Sequence, residues 1–402
     1  MKPKTSLIAV LVLLAGLRQV AASLADQQKF AAANNGFAFK LLKQLAKEQP
    51  AANIFISPYS ASTVLQMVGN GAAGRTRTEM QQVLGTTGLP PAVVNRANKD
   101  IAQSLNNGNT NVILTTANAI WYREGAPVKP EFIACNQQFF GATVAGLNFQ
   151  DPHSVDIINA WANEKTHGKI SRIADGMIDP VWTRLFLANA VYFKGKWADP
   201  FDAKDTKDRP FHLRGGGEKD VPMMTQTKTF TYRRGTGYQA VRLPYESENL
   251  AMYVFLPDTN SSPEKLLGIM NGDTWQRITK PGFSEKEGTL VLPKFKLEYG
   301  VELNQALQAL GMKTAFDLDK ADFSGIAPQL FISHARQKTF VEVKEEGTEA
   351  AAVTGIAVPL SSSMPPPNPF EMIVDRPFLF LIEDNQTGTL LFMGVMFDPG
   401  TN

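Results

Sequence analysis

The sequence predicts an α+β fold built around large β-sheets. Helix-like segments dominate its first part and strand-like segments its second, without the regular strand–helix alternation of a parallel α/β protein. Hydrophobic residues form 44% of the 402 residues, which is enough for one large core. Because no internal repeat or flexible linker divides the chain, we expect a single domain to follow the N-terminal segment.

Three segments in the first part have the pattern of helices. Residues 26–48 place their phenylalanines and leucines on one helical face, and Pro50 closes the segment. A second helix is expected after the strand-like run NIFI, because Ser57 is a good N-cap and Pro58 suits the first helical position. The third is the amphipathic segment at residues 154–168.

Strand patterns dominate from residue 184 onward. Residues 184–197 (RLFLANAVYFKGKW) are nearly continuously apolar up to Phe193, as expected of a strand buried on both faces. Residues 235–240 (GTGYQA) match a loose dinucleotide-binding pattern but lie between strand-like runs, so they predict a turn. The other strand candidates are YQAVRLPY, LAMYVFLP, TLVLPKFKLEY, TFVEVKEEG and two apolar runs joined by a polar turn at residues 383–388.

The first 22 residues are typical of a secretory signal peptide. Two lysines precede the apolar run 7–14, which is too short to span a membrane, and small residues follow at 21–23. Cleavage there would leave a secreted, extracellular domain of residues 23–402. It would also remove three of the 40 basic residues, leaving 37 against 38 acidic ones. This balance argues against nucleic acid or an anionic membrane as a partner.

Few residues carry recognisable chemistry. Cys135 is the only cysteine, so its thiol is either buried and free or paired with another molecule. The sequons at Asn260 and Asn385 are candidate glycosylation sites in a secreted protein. The chain has no nucleophile elbow, no phosphate-binding loop and no metal-ligand spacing among its four histidines. We therefore expect no enzyme, no cofactor and no metal, and a secreted hydrolase has no motif in its favour.

The segment before the last strands is unusually long and rich in small residues. It reads EEGTEAAAVTGIAVPLSSSMPPPNPF and covers residues 345–370. As a strand, it would carry only small or β-branched residues on the face that begins with Thr348, up to Pro359. The prolines at 365–367 could not join a central strand. The segment is therefore either a strand able to enter a sheet or an exposed linker.

Six motifs resemble the serpin family over essentially the whole mature chain. EEGTEAAAVT resembles the hinge of the serpin reactive loop, and VDRPFLFLI resembles the C-terminal signature of the family. The other four, in the order the family expects, are NIFISPYS, ANAVYFKGKWADPF, LPKFKLEY and LGMKTAFDLDKADFSGI. The short N-terminal helix and KEEGTEAAA also resemble arthropod serpins, especially those of tick saliva.

This resemblance implies a fold of three β-sheets and eight or nine helices with an exposed reactive-centre loop at about residues 345–367. It also implies a monomeric suicide inhibitor that traps a serine protease as an acyl-enzyme when the loop inserts into the main sheet. Thr348 is then expected to pass from solvent into the core. The implied hinge comprises Glu345, Glu346, Gly347, Thr348, Glu349, Ala350, Ala351, Ala352 and Val353.

The family's loop length predicts the reactive bond. Counting seventeen residues from Glu345 places the bond between Ser361 and Ser362, with Leu360–Ser361 as the alternative and Met364 as a remote one. No Lys or Arg occurs between residues 344 and 376, so a trypsin-like pocket would keep an unpaired carboxylate. Elastase-like or chymotrypsin-like proteases are therefore the expected targets.

The resemblance also implies a breach residue, Trp197, and a shutter formed by Ser57, Ser60, Asn189 and Gln337. Gln337 stands where inhibitory serpins commonly carry a histidine. Its amide could keep the shutter's bond network, because it both donates and accepts hydrogen bonds. The alternative is a looser shutter and easier self-insertion of the loop.

Two further expectations concern partners and function. Residues 90–108, where a glycosaminoglycan-binding helix is expected, supply only Arg96 and Lys99 as bases, so strong heparin binding is not expected. The alternative to an inhibitor is a non-inhibitory serpin that acts as a carrier, chaperone or protease substrate. The small hinge residues argue against that alternative, because non-inhibitory members often carry bulky, charged or proline residues there.

Overall fold

The computed structural model of the protein describes residues 6–105, 112–247, 249–279, 282–348 and 368–400, with side chains from residue 25 onward. The predicted α+β class is confirmed. In these residues, no helix combines the length and the apolar character needed to cross a membrane. The helices described are α1 (Ser6–Glu48), α2 (Pro58–Gly69), α3 (Gly74–Leu84), α4 (Pro91–Leu105), α5 (Pro130–Phe140), α6 (Ser154–Lys165), α7 (Pro263–Ile269), α8 (Gly272–Thr279) and α9 (Asn304–Ala309).

Strands form the centre of the molecule. They are β1 (Ile54–Ile56), β2 (Val112–Arg123), β3 (Thr143–Leu147), β4 (Leu185–Lys196), β5 (Lys207–His212), β6 (Glu218–Gly235), β7 (Tyr238–Pro244), β8 (Leu250–Pro257), β9 (Ser284–Pro293), β10 (Phe295–Glu302), β11 (Ile332–Lys344), β12 (Gly347–Thr348), β13 (Phe370–Ile373), β14 (Phe378–Asp384) and β15 (Thr389–Met396).

These strands form two hydrogen-bonded sheets in the described part of the chain. The six-stranded sheet has the order β10–β11–β12–β4–β2–β3, and β11 also pairs directly with β4. The nine-stranded sheet has the order β1–β15–β14–β8–β7–β6–β9–β13, with β5 paired to β6. Two sheets are counted instead of three because β6 pairs with β9 over residues 223–232 and with β7 over residues 231–235. One continuous ladder therefore links both halves of the larger sheet.

Strand β4 is buried on both faces, as its apolar sequence predicts. Leu187 and Val191 face the large core shared with the nine-stranded sheet and helices α1 and α2. Phe186 and Tyr192 face a smaller core that includes Trp161 of α6. The six-stranded sheet is thus an interior layer, and its centre is shielded from water.

Local signals identified most elements but not all their bounds. Ser57 caps α2 as predicted, and the turn predicted within residues 235–240 lies at residues 236–237, between β6 and β7. Helix α1 begins at Ser6 instead of Asp26, because the Leu- and Ala-rich residues before Asp26 are also good helix formers. The segment TLVLPKFKLEY was wrong as one strand. It divides at Lys294 into β9 and β10, which belong to different sheets.

Candidate functional site

The described part of the hinge enters the six-stranded sheet between β4 and β11. Gly347 and Thr348 form β12, which pairs in antiparallel register with residues 195–196 of β4 and 343–344 of β11. Beyond β12, the strands β4 and β11 pair directly with each other in parallel. The hinge therefore occupies the first two positions of a strand that would separate β4 from β11 if it continued.

Thr348 is already buried, which corrects the expectation that it starts in solvent. Its residue is 0% exposed, and its hydroxyl lies 2.9 Å from the hydroxyl of Tyr245. The ring of Tyr245 stacks on Trp197, with centroids 4.6 Å apart. Burial raises the pKa of Tyr245 above its usual range, so its hydroxyl keeps its proton. A small side chain with one hydroxyl fits this site, so Thr348 enters the sheet while the chain is intact.

Gly347 is required by the close approach of the hinge to β4. Its φ of +146° lies in a region that side chains disfavour. A Cβ atom at this position would lie 2.2 Å from the carbonyl oxygen of Gly195 and 2.5 Å from the Cα of Lys196. No residue with a side chain can therefore take the place of Gly347 without moving the hinge.

Glu345 anchors the start of the hinge. Its carboxylate accepts hydrogen bonds from Thr206 Oγ1 at 2.8 Å and from Lys294 Nζ at 3.0 Å. Burial acts to raise the pKa of Glu345, but the bonds from Lys294 and Thr206 outweigh it and hold the pKa below its usual range. The backbone C=O of Glu345 accepts a hydrogen bond from Phe201 N–H at 2.9 Å. The start of the hinge is thus held by an ion pair with Lys294, a side-chain hydrogen bond from Thr206 and a backbone hydrogen bond from Phe201.

Trp197, the predicted breach residue, contacts the same segment. Its indole Nε1–H donates to the carbonyl of Lys344 at 3.0 Å, and its backbone N–H donates to the carbonyl of Glu346 at 2.9 Å. Trp197 is 3% exposed. It therefore packs under the point where the chain leaves β11 and turns into β12.

The four predicted shutter residues lie together where the start of α2 packs on β4 and β11, each 0–1% exposed. Gln337 of β11 is opposite Asn189 of β4 and donates to its Oδ1 at 2.5 Å. Gln337 also donates to the carbonyl of Ser57 at 2.9 Å and accepts from its N–H at 3.0 Å. Asn189 in turn donates to Ser60 Oγ at 2.5 Å. This geometry favours the bonded alternative for Gln337, and its role in loop insertion stays a prediction.

Three further residues complete these contacts and were missed by sequence reasoning. Asn118 of β2 accepts a hydrogen bond from Asn189 at 2.6 Å, Tyr245 contacts Thr348, and Lys294 contacts Glu345. Each comes from a segment remote in the chain, and no local pattern marks it as a site residue. Only their positions in the folded sheets reveal them.

The remaining site predictions are not tested by these contacts. Asn260 and Asn385 lie in exposed turns, and Cys135 is a half-buried free thiol whose pKa is raised by burial. Within the described ranges, no group of three or more His, Cys, Asp and Glu side chains is arranged to hold a metal ion. The following predicted hinge and reactive-bond residues lie outside the described residues: Glu349, Ala350, Ala351, Ala352, Val353, Leu360, Ser361 and Ser362.

Known proteins resemble this chain over nearly its full length. A family model described as serpin (serine protease inhibitor) matches residues 32–399. Glia-derived nexin of Rattus norvegicus is 36% identical over 375 residues, which cover 90% of this chain and 91% of nexin. Leukocyte elastase inhibitor of Bos taurus is 36% identical over 384 residues, covering 92% and 100% of the two chains. The crystal structure of native protease nexin-1 with heparin has a TM-score of 0.83 and 32% identity, covering 93% of this chain and 100% of that one. The chain therefore belongs to the serpin family.

Proposed function

We propose that this chain is a secreted, monomeric suicide inhibitor of serine proteases. The protease serine attacks the carbonyl carbon of Ser361, or of Leu360 in the alternative register, forms an ester and releases the amine of the next residue. The loop then inserts between β4 and β11 before water can hydrolyse the ester. Insertion moves the ester by about 45 Å, at about 3.3 Å per residue. The protease is distorted against the inhibitor, and deacylation stops because its oxyanion hole and triad lose their geometry.

The observation that carries this proposal is the position of β12 at the mouth of the β4–β11 pair. Gly347 and Thr348 already make the first two antiparallel positions there. Continuing that strand would replace one parallel ladder by two antiparallel ladders, which are more stable per residue. The free energy that this exchange of ladders would release supports a mechanism in which the cut loop inserts spontaneously.

The shutter contacts support the same mechanism. The hydrogen bond between Gln337 and Asn189 crosses directly from β11 to β4. A strand inserted between β4 and β11 must break this bond. The buried cluster therefore acts as a barrier that holds the sheet closed until the loop is cleaved.

The loop sequence supports elastase-like or chymotrypsin-like targets, because Ser361 and Leu360 suit their pockets and a trypsin-like carboxylate would stay unpaired. The name of the relative leukocyte elastase inhibitor agrees with this choice. Protease nexin-1 was crystallised with heparin, but α4 here offers only Arg96 and Lys99 as bases, beside Asp100. We therefore expect no strong heparin binding by this chain.

The biological setting forms part of the proposal. Signal cleavage after residue 22 and glycans on Asn260 and Asn385 are proposed from the sequence patterns, and modulation of host defence is proposed from the resemblance to tick salivary serpins alone. Both asparagines lie in exposed turns, which supports their access to the glycosylation machinery. Digestion of the secreted protein with a glycosidase, followed by mass measurement, tests occupancy of each sequon.

The decisive experiment mixes the pure protein with elastases, chymotrypsin, cathepsin G, proteinase 3, trypsin and thrombin. We expect a denaturant-stable complex with at least one elastase- or chymotrypsin-like enzyme. The released C-terminal peptide should begin at Ser362, or at Ser361 for the alternative bond. Clean cleavage in the loop without a complex for any protease would refute inhibition and favour the non-inhibitory alternative.

A further inference from the structure

The turn formed by residues 179–184 presents two large apolar side chains to solvent. Val181 is 60% and Trp182 is 56% exposed. The other four tryptophans of the chain are only 0–7% exposed. Trp182 is therefore the one tryptophan of the five that is largely exposed, and it lies next to a second exposed apolar side chain.

The backbone of this turn is held by a dense set of hydrogen bonds. The Asp179 carboxylate accepts from the N–H groups of Val181 and Trp182 at 2.8 and 2.9 Å. The Arg123 guanidinium donates to the carbonyls of residues 180, 181 and 183, at 2.8 to 3.1 Å. Arg184 Nη1 donates to the carbonyl of Val181 at 2.7 Å. Two arginines and one aspartate thus fix the backbone that carries the exposed pair.

A rigid turn with an exposed tryptophan has the features of a binding hot spot. Trp is among the residues that contribute most to protein–protein affinity when they become buried. A backbone that is ordered before binding also reduces the entropy lost on association. The turn is therefore built for contact with another protein surface.

The register of the six-stranded sheet indicates which surface reaches this turn. In the β12–β4 ladder, Gly347 is opposite Lys196 and Thr348 is opposite Gly195. Each further residue of an antiparallel inserted strand moves one position back along β4. In this register Val358 would lie opposite Leu185, the first residue of β4. Ser361 is three residues beyond Val358 along the loop, and Trp182 is three residues before Leu185 in the turn. For the alternative bond, Leu360 is two residues beyond Val358, and Thr183 is two residues before Leu185.

We propose that Val181 and Trp182 form a docking surface for the acylated serine protease in the trapped complex. This inference rests on the proposed function, since the protease reaches the turn only through loop insertion. Its active-site cleft is tied by an ester to residue 361 or 360, so the rim of that cleft must contact the turn beside it. The contact holds the protease in its distorted position.

The expected consequence is slower hydrolysis of the trapped ester. In that hydrolysis, water adds to the ester carbon, the serine hydroxyl of the protease is released, and residue 361 or 360 keeps a carboxylate. A docked protease recovers the geometry for this step less often than one tethered only by the ester. Trp182→Ala should therefore release active protease about tenfold faster or more, as for loss of an interface hot spot. The formation of the complex should be unchanged.

A spectroscopic experiment tests the contact directly. The protein is labelled with 5-fluorotryptophan, and the resonance of Trp182 is assigned in the ¹⁹F NMR spectrum by its loss in Trp182→Phe. Spectra are recorded for the intact protein, for its complex with chymotrypsin or pancreatic elastase, and for protein whose loop is cut by thermolysin. Thermolysin cleaves with a metal-activated water and forms no acyl-enzyme, so it yields the inserted loop without a protease. Ile269→Ala, which removes another apolar side chain that is 61% exposed, is the matched control for release rates.

We expect the Trp182 resonance to shift in the complex but not in the thermolysin-cut form. Release should be faster for Trp182→Ala and unchanged for Ile269→Ala. A stable complex with an unshifted resonance and parental release from Trp182→Ala would overturn the inference while leaving the proposed function intact. The same shift in the cut form would also overturn it, because Trp182 would then report insertion alone. A shift that depends on the concentration of intact protein would assign the turn to a second copy and overturn it. Absence of any complex would refute the proposed function itself and this inference with it.

Discussion

Replacing Thr348 by Arg tests whether entry of the hinge into the sheet drives inhibition. The native side chain is fully buried and its hydroxyl meets that of Tyr245. An arginine there must either bury its charge or pull β12 out of the sheet. Tyr245 contacts Thr348, and Gly195 and Val343 are its partners in β4 and β11; none of these three residues supplies a carboxylate. We therefore expect the hinge to leave the sheet in Thr348→Arg.

The size of the effect follows from the contacts that are lost. Leaving the sheet gives up roughly three hydrogen bonds at about 1 kcal/mol each. A loss of about 3 kcal/mol corresponds to a population of the docked hinge about a hundredfold smaller. Insertion after cleavage must also bury the guanidinium, which costs several kcal/mol more. Hydrolysis of the acyl-enzyme then outruns insertion, and the inhibitor becomes a substrate.

The assay counts the molecules of this protein consumed for each molecule of protease inhibited, using whichever protease forms a complex with the parent. Thr348→Ser keeps the hydroxyl and should behave like the parent. Thr348→Val keeps the shape but leaves the Tyr245 hydroxyl unpaired, so its value should be intermediate. Thr348→Arg should be cut in the loop with almost no stable complex. If it formed the complex with parental stoichiometry, hinge burial at this position would have no part in trapping.

Three further predictions concern stability. Gln337→Leu leaves the buried N–H of Ser57 and the buried Oδ1 of Asn189 unsatisfied, so the free energy of unfolding in urea should fall by about 3 kcal/mol; an unchanged midpoint would contradict this. The pKa of Glu345 is lowered by folding, so its charge stabilises the protein above pH 4.5 and this contribution is lost as the pH falls through the folded value. Glu345→Gln should therefore flatten the decline of Tm in acid, and a parallel decline would refute the assignment. The contribution of Glu383 to stability depends on pH in the opposite direction. Burial raises the pKa of Glu383 to about 7, although hydrogen bonds from Trp275 and Tyr253 act to lower it. Its stabilising contribution is present in acid and lost as the pH rises through 7, so Glu383→Gln should stabilise the protein by about 3 kcal/mol at pH 9 and leave it unchanged at pH 4. Equal effects at both pH values would contradict the burial argument.

Sequence patterns predicted those parts of the site that depend on near neighbours. The cap residue Ser57 and the following Pro58 give the start of α2, and that start brings Ser57 into the shutter. The apolar run of β4 predicts burial on both faces, which holds Asn189 in the interior. These features are determined by a few neighbouring residues, so they can be predicted from the sequence.

Contacts between remote segments could not be predicted in this way. The strand pattern of the sequence continues on both sides of Lys294. The strand ends there only because β9 pairs within the nine-stranded sheet and β10 within the six-stranded sheet. At that point the N–H of Lys294 donates to the carbonyl of Pro222, and its side chain reaches Glu345, 51 residues further along. Strand β2 was missed because Thr115, Thr116 and Asn118 interrupt its apolar pattern. Asn118 is nevertheless buried in this strand, and the two threonines are half-buried.

The depth to which the hinge enters the sheet is set by close approach of the backbone and not by the pattern of small residues. That pattern would allow a strand to begin at any residue from Thr348 onward. The structure selects Gly347, whose backbone lies against Gly195, and a Cβ on Gly195 would in turn lie 2.7 Å from Cδ1 of Tyr245. Gly195→Ala should therefore displace the Tyr245 ring and break its bond to Thr348, although no hinge residue has changed. Hydrogen exchange should then be faster for the backbone amides of Gly347 and Thr348, whereas parental protection of these amides would show that the hinge holds its place without Tyr245.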